Sequence, residues 1–231
     1  MVALAVLLGA WVQAVAGLGM GLVTAPLVAI VAPELMPALP LWFGLLISGS
    51  ATLLDHRHVD WSAIRWILPA RALGTLPGVW LVVVFTSDQL GLVLATVVIM
   101  AVLVSWRTLQ VPVNPGTMVT AGFLGGVGGT ATSIAGPPVA ILFQHGRPAE
   151  VRATLAVYFF GGVLMSLGAL GVAGELPVAS VWVALLCAPL VGLGLWLGTR
   201  TRDRLPREQF RRAVLLVSAV SALALVAKSV A

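Results

Sequence analysis

The sequence predicts an all-α integral membrane protein with about eight hydrophobic segments in two inverted repeats, the first segment of each repeat being broken or re-entrant. Three observations carry this. The chain is 60% hydrophobic and 9% charged, with a mean hydropathy of +1.07. Two of its apolar runs are too long for one crossing and dense in glycine. Its arginines collect on one side only if those two runs turn back. A soluble domain of 231 residues cannot hide so much apolar surface, so part of its solvent is lipid. A net charge of +5 raises the question of nucleic acid. The basic residues, however, fall in short links between apolar runs, where membrane topology accounts for them, and no nucleic-acid partner is expected.

The first run, 2–32, opens "MVALAVLLGAWVQAVAGLG" without the basic start of a secretory signal, and continues past where cleavage would fall. It reads as part of the mature protein. A hydrocarbon core of about 30 Å takes roughly 20 helical residues, and this run exceeds that. The runs at 37–54, 64–86 and 90–106 have ordinary spanning length. The fifth, 116–143, is again too long, and within it Gly122–Pro138 holds six glycines and two prolines in seventeen residues. The last three, 153–173, 178–199 and 213–230, are ordinary spans. Trp42, Trp61, Trp66, Trp106 and Trp182 lie near segment ends, where an interfacial belt wants them. Cys187, the single cysteine, sits inside an apolar run and is expected to pack there.

If all eight runs crossed once, basic charge would be split between the faces, against the usual cytoplasmic excess. If runs one and five enter and leave by the same face, all twelve arginines share a face with Asp55, Asp60, Glu150, Asp203 and Glu208. Lys228, Glu34, Asp88 and Glu175 are left opposite. That arrangement puts both termini outside. It also explains the helix breakers: these segments are meant to be broken.

The chain also reads as written twice, residues 1–115 and 116–231, two membrane repeats of one transport domain. "GAWVQAVAGLGMGLVTAPLVAIV" opens the first and "GGVGGTATSIAGPPVAILF" the second; later "GTLPG" (74–78) answers "GLWLG" (194–198). Each half is one long glycine-rich segment followed by three ordinary spans. With the long segment returning to its own face, each half makes an odd number of net crossings, so the second is upside down relative to the first. Inverted repeats with interrupted helices at corresponding positions point to a secondary transporter with a site near the midplane.

The pair "GAWVQAVAGLGMGLVTAPLV" and "GFLGGVGGTATSIAGPPVAILF", with the "HRHVDW" turn between segments two and three, resembles the signatures of the TauE/SafE family of sulfite and organosulfonate exporters. Ser133 and Ala135 stand where related sequences often have glycines. The resemblance covers essentially the whole chain. It implies a bacterial inner-membrane permease, an exporter, for sulfite, organosulfonates or related sulfur and carboxylate anions.

A broken helix presents unpaired backbone N–H groups at the start of its second half. That terminus carries roughly +0.5 of a charge and binds anions without a cationic side chain. "SIAGPPVAIL" reads as a break near Ala135–Gly136, with Pro137 and Pro138 starting the next half-helix. The expected substrate-binding residues there are Thr130, Thr132, Ser133, Gly136, Pro137 and Pro138. Their counterparts in the first half are Gln13, Gly17, Gly19, Gly21 and Thr24. The two breaks are expected to face each other at mid-depth with the anion between them. Glycines in membrane helices also serve close packing, and for any single one that is the commoner role.

Arg71 is the basic residue clearly inside a run, and is expected to snorkel to the inner boundary as an anchor, leaving the site free of buried cations. Asp55, His56, Arg57, His58 and Asp60 read as a solvated loop rather than a metal site. No deep carboxylate suggests a proton carrier, and no nucleotide motif is present, so no cofactor is expected. No nucleophile–base pair lies at mid-depth, so the chain is not expected to be an enzyme. The rival readings are an anion channel subunit and a membrane assembly factor that moves no substrate.

Overall fold

The described residues of a computed structural model, 2–16, 20–54, 57–106, 111–201 and 207–230, form α-helices joined by short links, with no strand among them. The helices are α1 (Val2–Ala16), α2 (Met20–Val31), α3 (Ala38–Leu54), α4 (Trp61–Val84), α5 (Ser87–Trp106), α6 (Pro115–Thr132), α7 (Gly136–Phe143), α8 (Pro148–Val172), α9 (Val178–Thr201) and α10 (Arg207–Val230). A 3-10 turn, Pro33–Leu35, follows α2.

Local chemistry sets several boundaries that hydropathy missed. Helix α4 begins three residues before its apolar run, because the Asp60 carboxylate accepts from the Ala63 amide at 3.0 Å. Asn114 and Thr117 form a reciprocal capping box that starts α6. Pro148 in the first turn and Glu150 beside it open α8 ahead of its apolar stretch. Helix α10 gains a polar first stretch, which no apolar window would include.

Helices α4, α8 and α9 are long and apolar enough to cross a membrane, yet only 39%, 44% and 28% of their most apolar windows are buried within the protein. Leu73, Leu76, Trp80, Leu185, Leu186 and Trp196 face outward. Helices apolar all round with so little protein cover need lipid as the remaining solvent.

Glycine sets the closest helix pairs. Along α4 and α6, Gly122 lies on Ile67 and Ala70, Gly126 on Arg71 and Gly74, and Thr130 on Gly78, so the two run parallel. Along α1 and α9, Gly194 lies on Leu7 and Ala10, and Gly198 on Trp11 and Ala14, again parallel. Helix α3 packs on α8, and α5 on α10.

Helix α2 returns alongside α1: Gly9 faces Thr24, and the Gln13 side chain accepts from the Met20 amide at 3.1 Å. Helix α7 returns alongside α6, with Val139 and Leu142 in one cluster with Ala121 and Met118. The two pairs open toward opposite ends of the bundle. A cavity of about 200 Å³ is lined by Glu34, Phe85, Ser87 and Glu175, which places the links after α2, α4 and α8 at one end. Lys228 joins them there, donating to the Ile30 carbonyl at 2.8 Å. At the other end, the Asp60 amide donates to Thr154 at 2.9 Å, and Ala63, Met118, Phe143 and Val151 share a cluster.

Candidate functional site

The start of α2 meets the link between α6 and α7 inside the protein. A Cβ added to Gly21 would stand 2.9 Å from the Ser133 carbonyl oxygen and 3.6 Å from Ile134. Only glycine allows this approach without a shift. Ser133 ends α6 in the left-handed region, at φ 63° and ψ 13°, where an L-residue other than Asn or Asp is uncommon. Its hydroxyl donates to the Pro37 carbonyl at 2.7 Å, tying the link to the start of α3. Ile134 and Ala135 then fold back onto Gly128, Gly125 and Gly129 of α6.

Pro137 and Pro138 fill the first turn of α7. They suit that position, but neither has an amide hydrogen. Of the four donors a helix N-terminus ordinarily leaves unpaired, those of Ala135 and Gly136 remain. Gly136, Pro137 and Pro138 are half-buried.

The hydroxyls expected beside the break are largely engaged. Thr132 donates to the Gly128 carbonyl of its own helix at 2.7 Å. Thr130 and Ser166 of α8 pair at 2.8 Å, and both are fully buried. Thr24 is fully buried with its Oγ1 unpartnered, and it faces Gly9 of α1. Gly21 and Ser133 are therefore brought together. Gly17 and Gly19 lie outside the described residues, as do Asp55 and His56 of the predicted polar loop.

Arg71 overturns the expectation of a snorkelling anchor, and with it that of a site without buried cations. It stands ten residues after Trp61 in α4, about 15 Å along the axis at 1.5 Å per residue, which is half the thickness of a hydrocarbon core of about 30 Å. Its side chain is 1% exposed, and it is the one charged side chain buried among the described residues. The guanidinium carbon lies 4.6 Å from the centre of the Tyr158 ring. Gly162 of α8 leaves the room: a Cβ there would overlap Arg71 Nε. On the other side, a Cβ at Gly129 would come within 3.0 Å of Arg71 Nη2 and 2.8 Å of Ala135 Cβ.

Arg71 Nε and Nη1 and the Tyr158 hydroxyl have no hydrogen-bond partner. A cation–π contact offsets about 2 kcal/mol when desolvated, whereas an uncompensated buried ion costs several kcal/mol. The aromatic face covers one side of the guanidinium and leaves its N–H edges unsatisfied. The signal was in the sequence: Arg71, Gly74, Thr75 and Gly78 recur at helical spacing, so Arg71 shares the glycine face that packs inward.

Comparison with known proteins adds three findings. A family described as "Sulfite exporter TauE/SafE" matches residues 2–225. The chain is 32% identical over 185 residues to the "Probable inner membrane transporter protein TsaS" of Comamonas testosteroni, covering 74% of each. No solved structure matches.

Proposed function

From the fact that this chain belongs to the sulfite exporter TauE/SafE family of membrane transporters, we propose that it is a secondary transporter that carries small anions out of the cell. Its substrates in this reading are sulfite, organosulfonates or related sulfur and carboxylate anions. It sits in the bacterial inner membrane, as the name of its Comamonas relative says of that protein, with the arginine-rich end cytoplasmic and both termini outside. The anion is held at mid-depth where the two glycine-laden segments meet.

One observation carries the reading: Gly21 rests on the Ser133 carbonyl, joining segments whose helix pairs open toward opposite ends of the bundle. The packing supports treating 1–115 and 116–231 as inverted repeats. Exchanging α1–α5 for α6–α10 turns the α4/α6 pair into α9/α1, and returns α3/α8 and α5/α10 to themselves. Helix α4 ends where α9 begins, so these equivalents run in opposite directions. Inverted halves with interrupted helices suit alternating access around a fixed central site. The cavity lined by Glu34 and Glu175 also touches Ala131, two residues before Ser133, and supplies the outward vestibule.

The test is flux into liposomes holding the purified protein, with sulfite, sulfoacetate, thiosulfate and small carboxylates as candidates. The reading expects saturable uptake of at least one of them. Flux that rises without saturation would make the protein a channel, and absence of flux for all of them would make it an assembly factor.

A further inference from the structure

We infer that Arg71, with Tyr158, is the charge-recognition centre of this transporter, and that the substrate's oxyanion head completes a site the chain leaves unfinished. The inference rests on the anion-transport reading and adds to it a binding group and the chemistry of its ligand.

Arg71, Tyr158 and the start of α7 converge on one strip of α6. Gly125 and Gly129 are one helical turn apart. Tyr158 Oη and the Ala135 carbonyl both press on Gly125, while Arg71 Nη2 and Ala135 Cβ both press on Gly129. Ala135 is the N-cap of α7, so the guanidinium lies beside the positive end of that helix, both meeting α6 at Gly129. Three buried donors there lack acceptors: Arg71 Nε, Arg71 Nη1 and the Tyr158 hydroxyl. No carboxylate is buried among the described residues, so the charge has no internal counter-ion. Gly129 and Gly162, on opposite sides, reserve the space the guanidinium occupies. A side chain kept only for packing would not need an ion at mid-depth, since an apolar residue of that length fills the same volume without desolvating a charge.

The donor set defines the ligand. A planar guanidinium offers several N–H groups in a fixed fork, which suits an anion with two or more oxygens on one centre. Sulfonate, sulfite and carboxylate heads fit, and Tyr158 supplies a further donor. A halide satisfies one or two of these groups and leaves the others bare. With two amides of α7 removed by proline, Arg71 supplies the main positive charge, and the helix terminus supplements it.

The experiment measures binding and flux separately on full-length protein. Sulfite, sulfoacetate, acetate and chloride are titrated against the melting temperature of purified wild type, Arg71→Lys, Arg71→Gln and Tyr158→Phe, and the same proteins are assayed for flux in liposomes. Wild type is expected to melt higher with the oxyanions than with chloride. Arg71→Lys should raise the half-saturating concentration at least tenfold, and Arg71→Gln should remove the oxyanion-induced rise. Tyr158→Phe deletes a hydroxyl that satisfies nothing in the empty protein. It should fold at least as stably as wild type and bind several-fold more weakly, so the test stands even if Arg71→Gln does not fold. Wild-type oxyanion affinity in Arg71→Lys and Tyr158→Phe would overturn the inference. Absence of flux in wild type, with oxyanion binding that still depends on Arg71, would fault the transport reading and leave this site standing.

Discussion

Gly162→Ala tests the placement of Arg71 through packing alone. The added Cβ falls on Arg71 Nε, with Cζ and Cδ also inside contact distance, so bending the tip of the side chain does not relieve it. The whole guanidinium must leave its place between α6 and α8. Overpacking of this kind costs about 1–3 kcal/mol, against up to about 1 kcal/mol gained when alanine replaces glycine within a helix. With the full helix gain subtracted the net loss is up to about 2 kcal/mol, or up to roughly 8 °C in melting temperature for a chain of this size. Gly168, also in α8, has nothing within 4 Å of an added Cβ, and Gly168→Ala is the control, expected to melt slightly higher than wild type. Cys187, the only cysteine and buried, serves as reporter, since a thiol-reactive fluorophore reaches it on unfolding. Truncating Arg71 makes room for the methyl, so in an Arg71→Ala background Gly162→Ala should lose the overpacking cost and keep only the helix gain of up to about 1 kcal/mol, a coupling of about 1–3 kcal/mol. Equal shifts for Gly162→Ala and Gly168→Ala, or strict additivity with Arg71→Ala, would refute the packing described.

Three further outcomes follow from the fold. Ser133→Phe loses the bond to Pro37 and adds bulk at the meeting of the two segments, and Gly136→Leu fills the start of α7; both should reach the membrane in normal amount and carry no anion in the liposome assay. Gly126→Leu meets the Arg71 carbonyl and the Gly74 backbone, which cannot yield as a side chain does, so the purified protein should be lost to aggregation on gel filtration. Asn114→Ala removes the capping box of α6 and should lower stability by about 0.5–2 kcal/mol by thermal unfolding, without altering the half-saturating anion concentration.

Much of the helical organisation was legible because lipid imposes a simple rule: long apolar runs bounded by polar links. The 178–199 run and α9 differ by two residues at one end. Boundaries were misjudged where a cap or a polar first turn, not hydropathy, starts the helix, as at Asp60 and Pro148. The glycine and proline cluster marked the region around Ser133, since glycine there answers close backbone approach and proline the start of a helix. The pairing of individual hydroxyls was not legible. Thr130 and Ser166 are 36 residues apart, and which of several buried hydroxyls meet depends on how α6 and α8 rotate against each other. Snorkelling was expected of Arg71 because hydropathy reports its place in an apolar run but not its face on the helix. The repeat of Gly74 and Gly78 turns that face inward, beyond the reach of a snorkelling side chain.

The central claim is that both glycine-laden segments turn back, so that one half of the chain is inverted relative to the other. In a Cys187→Ser background, single cysteines at Val2, Glu34 and Arg147 can be labelled with a membrane-impermeant thiol reagent in sealed vesicles of known orientation. Labelling of Val2→Cys and Glu34→Cys from the outer side, and of Arg147→Cys from the inner side, is the result expected. Labelling of Val2→Cys and Glu34→Cys from opposite sides would contradict the account.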